Sequence, residues 1–260
     1  MSTIVAGDLE CFLLLTPLAF LLPMSKAAAE EITVLSAGAV EPGIAKVIDR
    51  FRRDTGHAVK ITFATAPTIS KRAGSADPVD IVIAPAAVLD EWVKAEQAAL
   101  AERIIIGRIG VGVMVRAGAP LPNIGTVDEF KQSLLNAESL VYNQASTGIY
   151  LEELFEKLGI AAQLRTKTTR YPNAAAVLHH VRNGHGNEIG LGATTVIIEG
   201  ESMRLKFVGP LPEEIQNYTG YAALLAAGAG SNAAREFLRY LTTPAAKRIF
   251  AAAGIMDPGK

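Results

Sequence analysis

Four histidines, His57, His179, His180 and His185, are the side chains best suited to ligate a metal or act as general bases, and their placement supports neither. His179 and His180 are adjacent and so point to different faces of a helix, His185 lies beyond Gly184, and His57 falls in a predicted turn. None stands at i, i+4 from another His with a Glu beside it, so no metal site is expected. No G-x-S-x-G occurs, and nothing indicates a Ser/His/Asp triad. The glycine clusters "GRIGVG", "GLGATT" and "GAGS" neither form G-x-G-x-x-G between a strand and a helix nor end in Gly-Lys-Ser/Thr, so no nucleotide cofactor is expected. A single cysteine, Cys11, sits in an apolar N-terminal run; the chain beyond that run has no disulfide, thiol nucleophile or Cys-based metal site.

What recurs is a turn of small residues between a strand and a helix start. It appears five times, as "SAGAVEPG", "TAPTIS", "NQASTGIY", "YPNAAA" and "GLGATTV". Free backbone N–H groups at a helix N-terminus, with the positive end of the helix dipole, hold an anion without a charged side chain. Small residues let the ligand reach those amides. The candidate ligand contacts are therefore Ser36, Gly38, Ala39 and Val40 in the first turn, and Ala66, Pro67 and Thr68 in the second. Ser146, Thr147 and Gly148 belong to the third, Asn173 and Ala174 to the fourth, and Ala193 and Thr194 to the fifth. Arg72, with Lys71 beside it, comes after the second turn and is a candidate cation for the ligand.

The elements that position these turns alternate between short β-type runs and amphipathic helices, which predicts an α/β architecture. "ITVL" reads as the first strand, and Ile44, Val47, Ile48 and Phe51 form the core stripe of the helix after it, with Pro42 in its first turn and Gly56 at its end. "VKITF" alternates as a half-buried strand, and "VDIVIAP" is apolar enough to be buried on both faces. "LDEWVKAEQAAL" predicts a helix with Leu89, Trp92, Val93 and Leu100 on one stripe. Thr126 and Glu129 form a capping-box pattern, "SLVYN" is a strand, and Leu151, Leu154, Phe155 and Leu158 have core spacing. "NAAAVLHHVRNG" is a helix capped by Asn173 and stopped at Gly184. "EIGLGA" and "LKFVG" are further short strands. Two helices joined at Thr243 and Pro244 end the chain and are expected to close the first lobe. The long β-rich runs "IIIGRIGVGVMV" and "YTGYAALLAAGAG" are the candidate crossings, and two crossings predict two lobes with a cleft between. The expected limits are 30–112 with 222–260 in one lobe and 113–221 in the other.

At 260 residues, half of them hydrophobic, the chain can build a substantial core. A formal net charge of -1, without a Lys/Arg run interleaved with aromatics, argues against nucleic acid as a partner. The first thirty residues differ from the rest. "CFLLLTPLAFLLP" is apolar from Cys11 to Pro23, shorter than the ~20 residues a membrane span needs, and Ala27, Ala28 and Ala29 come soon after. This is the pattern of an export signal over residues 1–29, cleaved near Ala29, although the leader carries Asp8 and Glu10 and no Lys or Arg. A periplasmic location is expected.

Taken together, "ITVLSAGAV", "FATAPTISKR", "DPVDIVIAP", "ASTGIYLEELFEKLG", "EIGLGATT" and "FLRYLTTPAAKRIFAAAGI" resemble the extracytoplasmic solute-binding proteins of ABC importers, in particular the molybdate-binding family with its type II fold. The resemblance covers nearly the whole chain after the leader. It implies two α/β lobes, joined by two crossing strands, that close on a ligand and deliver it to a permease in the inner membrane. It also implies where the ligand sits. Ala39 and Ala66 stand where molybdate binders have serines, Thr147 and about Ala174 match backbone-amide contacts, and about Ala193 matches a tyrosine hydroxyl. Three hydroxyl donors are thus alanine here. A charge-assisted hydrogen bond contributes roughly 1.5–3 kcal/mol, so three losses weaken an oxyanion site severely unless neighbours such as Ser36, Thr65, Thr68, Ser146, Thr147, Asn173, Thr194 or Thr195 replace them.

The expectation is therefore a monomeric binding protein, not an enzyme, without cofactor or metal, for a small anion: a molybdate- or tungstate-like oxyanion or a small organic carboxylate. The alternative is an α/β enzyme acting on a small anionic substrate in the same cleft. It would be favoured by His179, His180 or a carboxylate pair pointing into that cleft.

Overall fold

The computed structural model describes residues 29–73, 79–96, 103–228 and 230–259. The apolar leader, the cleavage region before Ala29 and Leu100 lie outside the described residues. In chain order the elements are β1 (Glu31–Ala37), α1 (Glu41–Thr55), β2 (Ala58–Ala64), α2 (Ala66–Lys71), β3 (Ile81–Pro85), α3 (Ala86–Lys94), β4 (Ile104–Ile109), β5 (Val111–Arg116), α4 (Val127–Asn136), β6 (Ser139–Asn143) and α5 (Ser146–Lys157). Next come α6 (Ala161–Leu164), β7 (Thr168–Tyr171), α7 (Ala174–Asn183), β8 (Glu188–Ala193), α8 (Thr194–Gly200), β9 (Leu205–Pro210), β10 (Thr219–Leu225), α9 (Asn232–Tyr240) and α10 (Pro244–Ala252).

The strands form two five-stranded sheets, in the orders β2-β1-β3-β10-β4 and β7-β6-β8-β5-β9. Each repeats one plan. Three parallel strands are followed by an antiparallel crossing strand, β10 in the first sheet and β5 in the second, and then by a last strand antiparallel to it. This is the α/β, two-lobed, periplasmic-binding-protein-like architecture the sequence predicts. Strand β3 is buried along its whole length, as its apolar run demands, while β2 alternates at an edge. On α1, Ile44, Val47 and Phe51 are fully buried, Pro42 occupies the first turn and Gly56 takes the left-handed conformation (φ 84°) that ends the helix. Phe237 and Leu238 from α9, Leu241 at its C-terminal cap and Phe250 from α10 complete the same core, so the C-terminal helices pack on the first sheet. Phe130, Leu134, Leu151, Leu154 and Phe155 fill the core of the second.

The run Ile104–Val115 contributes to both sheets. Strand β4 ends at Ile109 and β5 begins at Val111, so the chain crosses at Gly110. The return passes through residues 211–218, and Gln216 ties the two crossings together. Its Oε1 accepts from the Val111 N–H (2.8 Å) and its Nε2 donates to the Val111 carbonyl (3.0 Å). Nearby, Tyr150 donates its hydroxyl to the Ile215 carbonyl at 2.6 Å.

Candidate functional site

The strand-to-helix turns of both lobes line a cavity of about 660 Å³. The parallel strands explain why: ligands of α/β sheets lie beyond the carboxyl ends of their strands, where the following helices begin. Each turn contributes differently.

At the first, Gly38 and Ala39 line the cavity, and a Cβ at Gly38 would meet nothing within 4 Å, so this backbone is open to a ligand. Ser36 is fully buried at the end of β1, where its hydroxyl donates to the Ala37 carbonyl (3.3 Å), and it is not among the lining residues. Val40 is buried in the core because it begins the apolar face of α1. At the second turn Ala66 and Thr68 line the cavity and the hydroxyls of Thr65 and Thr68 pair at 2.9 Å, whereas Pro67 is not among the lining residues. Arg72 is not either. It caps the C-terminal end of the six-residue α2, about 9 Å of helix away from the amides at its start.

At the third turn Ser146 and Thr147 reach the cavity together with Asn143 and Ala145, and the Asn143 Oδ1 accepts from the Ala145 N–H at 2.9 Å. Gly148 does not line it. An added Cβ there would collide with the Asn143 carbonyl, so the glycine lets α5 start hard against β6. At the fourth, Asn173 and Ala174 line the cavity, and the Asn173 side chain caps α7 by accepting from the Ala176 N–H (2.9 Å). At the fifth, Ala193 lines it. The Thr194 N–H is spent on the Gly110 carbonyl (3.0 Å), and Thr194 Oγ1 is buried without a hydrogen-bond partner among the described residues. The next residue bridges the lobes: Thr195 Oγ1 donates to the Ala39 carbonyl at 2.7 Å.

Helices α2 and α8 are six and seven residues long, so α1, α5 and α7 carry the substantial dipoles of this rim. Other cavity residues carry no local signal of that role in the sequence. Phe63, Leu178, Val196 and Met203 give it apolar wall, and Tyr221, on β10, brings a phenol whose pKa burial pushes up. Among the described residues the cavity lining includes no Lys, Arg or His, and its charged members are Glu41 and Glu199. They come from opposite lobes, Glu41 from the first residue of α1 and Glu199 from α8. Burial raises the Glu41 carboxyl above its ordinary value, and the charge of Glu199 raises it further. A helix acid in a first turn and an exposed acid near a helix end look unremarkable one at a time, and tertiary structure alone brings them together.

The histidines lie elsewhere. His180 is held in the second lobe, with Nε2 2.8 Å from Glu188 Oε2 and Nδ1 2.6 Å from the Tyr171 hydroxyl, while Ser139 donates to the same Glu188 oxygen at 2.6 Å. His57 is buried against Phe51 and accepts from the Glu30 N–H (3.1 Å), and His179 and His185 are exposed. No group of metal-ligating side chains occurs among the described residues.

The fold, two α/β lobes whose strand-to-helix turns line one cavity, is that of a two-lobed binding protein. The chain belongs to the bacterial extracellular solute-binding proteins, whose family profile matches residues 32–255. Among its relatives, an aconitate isomerase of a Pseudomonas sp is 30% identical over 233 residues, covering 86% of this chain and 87% of the relative. The molybdate-binding protein ModA of Escherichia coli (strain K12) is 26% identical over 231 residues, covering 85% and 86%. The fold matches the periplasmic molybdate-binding protein of Azotobacter vinelandii with a TM-score of 0.74 at 17% identity, over 87% of this chain and 99% of that one.

Proposed function

We propose that this protein is exported to the periplasm, captures a small organic polycarboxylate in its interlobe cleft and delivers it to a membrane permease. Its lobes would comprise residues 30–109 with 219–260, and 111–218, pivoting at the two crossings. The observation that carries the ligand class is the rim itself. Helix starts and small residues supply amides for an anion, while alanine at positions 39, 66 and 193 removes the hydroxyls that would fit a compact oxyanion. A cavity of about 660 Å³ with apolar wall from Phe63, Leu178 and Met203 suits a carbon skeleton, since organic ligands occupy sites of roughly 300–1,000 Å³. The kinship with an aconitate isomerase supports a tricarboxylate in particular.

A thermal-shift panel of molybdate, tungstate, sulfate, citrate and aconitate tests this. A bound ligand at 100 times its dissociation constant adds about 2.7 kcal/mol. Stabilisation by a carboxylate and not by the metal oxyanions is the expected result; the reverse pattern refutes the ligand class.

One observation favours a second reading, that the cleft also isomerises its ligand. Two carboxylates from opposite lobes line the cavity, which is the arrangement an acid–base enzyme needs and an anion carrier does not. Conversion of cis-aconitate to trans-aconitate, followed by proton NMR, tests it.

A further inference from the structure

Several carboxylates elsewhere among the described residues are tied to partners: Asp54 to Arg50 and Tyr240, Asp80 to Thr33, Glu152 to Arg170, Glu188 to His180 and Ser139. The side chains of Glu41 and Glu199 have no hydrogen-bond or ion-pair partner among the described residues, and both face the ligand cavity. In a site that holds a polyanion, two such charges oppose binding. Their presence is useful where the ligand has a proton to give and a carbon to receive one.

Building on the isomerase reading above, we infer that Glu41 and Glu199 are the acid–base pair of a 1,3-proton shift on an unsaturated tricarboxylate bound between the lobes. One carboxylate takes a proton from the methylene carbon that lies between a carboxylate and the C=C bond. The C–H electron pair becomes the new double bond, and the old double bond's pair takes a proton at its far carbon from the other glutamic acid. Composition and oxidation state are unchanged, so the step balances without a co-reactant. The two glutamates finish with exchanged protonation states and reset by proton exchange with water. Placement in opposite lobes suits the two ends of a three-carbon unit, and the amides at the starts of α5 and α7 face the charge that spreads onto the carboxylates during transfer. The upward displacement of the Glu41 pKa by burial and by Glu199 moves that group toward the working pH of a general acid or base.

The test compares wild type with Glu41→Gln, Glu199→Gln and, as a control outside the cleft, Glu213→Gln. Both kcat for aconitate isomerisation and the melting-temperature rise with aconitate are read. The expected result is a loss of at least ~100-fold in kcat for each cleft variant, with aconitate still stabilising both, and no change for the control. Wild type that isomerises aconitate while either cleft variant keeps its kcat within threefold overturns the assignment and leaves the isomerase reading standing. Loss of aconitate binding in the cleft variants also overturns it, since the glutamates then serve binding. Wild type that binds aconitate without isomerising it removes the isomerase reading and this inference together.

Discussion

Helices that begin on the outer surface and helices that begin at the cleft treat their first N–H groups differently. On the outside, Thr126 accepts from Glu129 N, Ser231 from Ala234 N and Thr243 from Ala246 N, each at 3.0–3.2 Å, and Glu129 completes a capping box. At the cleft, Ala37 precedes the 3-10 turn Gly38–Val40 that leads into α1, and Ala145 and Ala193 precede α5 and α8, all without any side-chain cap, and Thr65 turns its hydroxyl to Thr68 instead. Asn173 is the cleft residue that does cap a helix. Each helix start leaves four N–H groups without an intrahelical partner, and a capping oxygen satisfies one of them. Poor caps at the cleft therefore cost stability and leave first-turn amides without a side-chain acceptor. Pro85 and Ile160 also precede helices without capping them, so a missing cap marks the site only when a small-residue turn faces the cavity.

The contrast can be broken in several places. Gly148→Ala should be the most damaging, costing about 3 kcal/mol, because the new methyl group meets the Asn143 backbone and the start of α5 must move. Urea unfolding measures it, and aconitate binding should fall with it. Thr126→Ala, Ser231→Ala and Thr243→Ala should each cost about 1 kcal/mol and leave aconitate affinity unchanged by calorimetry; a loss of affinity in any of them would erase the distinction between the two kinds of helix start. Asn173→Ala is the sharpening case, with a similar cost in stability and an affinity change of threefold or more, because its cap sits on the rim. The smallest effect on stability is expected for Glu41→Gln. The folded-state pKa of Glu41 is raised, so its favourable contribution is present at low pH and is lost as pH rises through that pKa. Glu41→Gln should therefore melt on the order of 1 °C above wild type at neutral pH, and the gap should close below the ordinary carboxylate value of 4.5.

The elements were legible in the sequence because each has a local cause. The Ile44/Val47/Phe51 stripe, the capping box at Thr126 and the glycine stop at Gly56 are contained within a few residues. The small-residue turns were legible for the same reason, and residues from all five line one cavity. Side-chain direction within a turn was not. Ser36 is buried because β1 is an interior strand covered on both faces at its C-terminal end, and Arg72 falls at the wrong end of a helix whose shortness the sequence did not reveal. Glu41 and Glu199 were out of reach because what distinguishes them is each other, across two lobes. Tyr221 lies within a crossing run with no local mark of a site, and its pairing with Pro85 sets it at the cavity.

The bond from Thr195 to the Ala39 carbonyl has a consequence for motion. Thr195 is fully buried, so any rotation that parts α8 from the first turn breaks this bond and wets its hydroxyl. One such bond contributes about 1 kcal/mol, a factor of roughly five in an equilibrium between closed and parted lobes. The carbonyl it occupies belongs to a residue that lines the ligand cavity. Parting the lobes would therefore disturb the same peptide unit that forms part of the cavity wall.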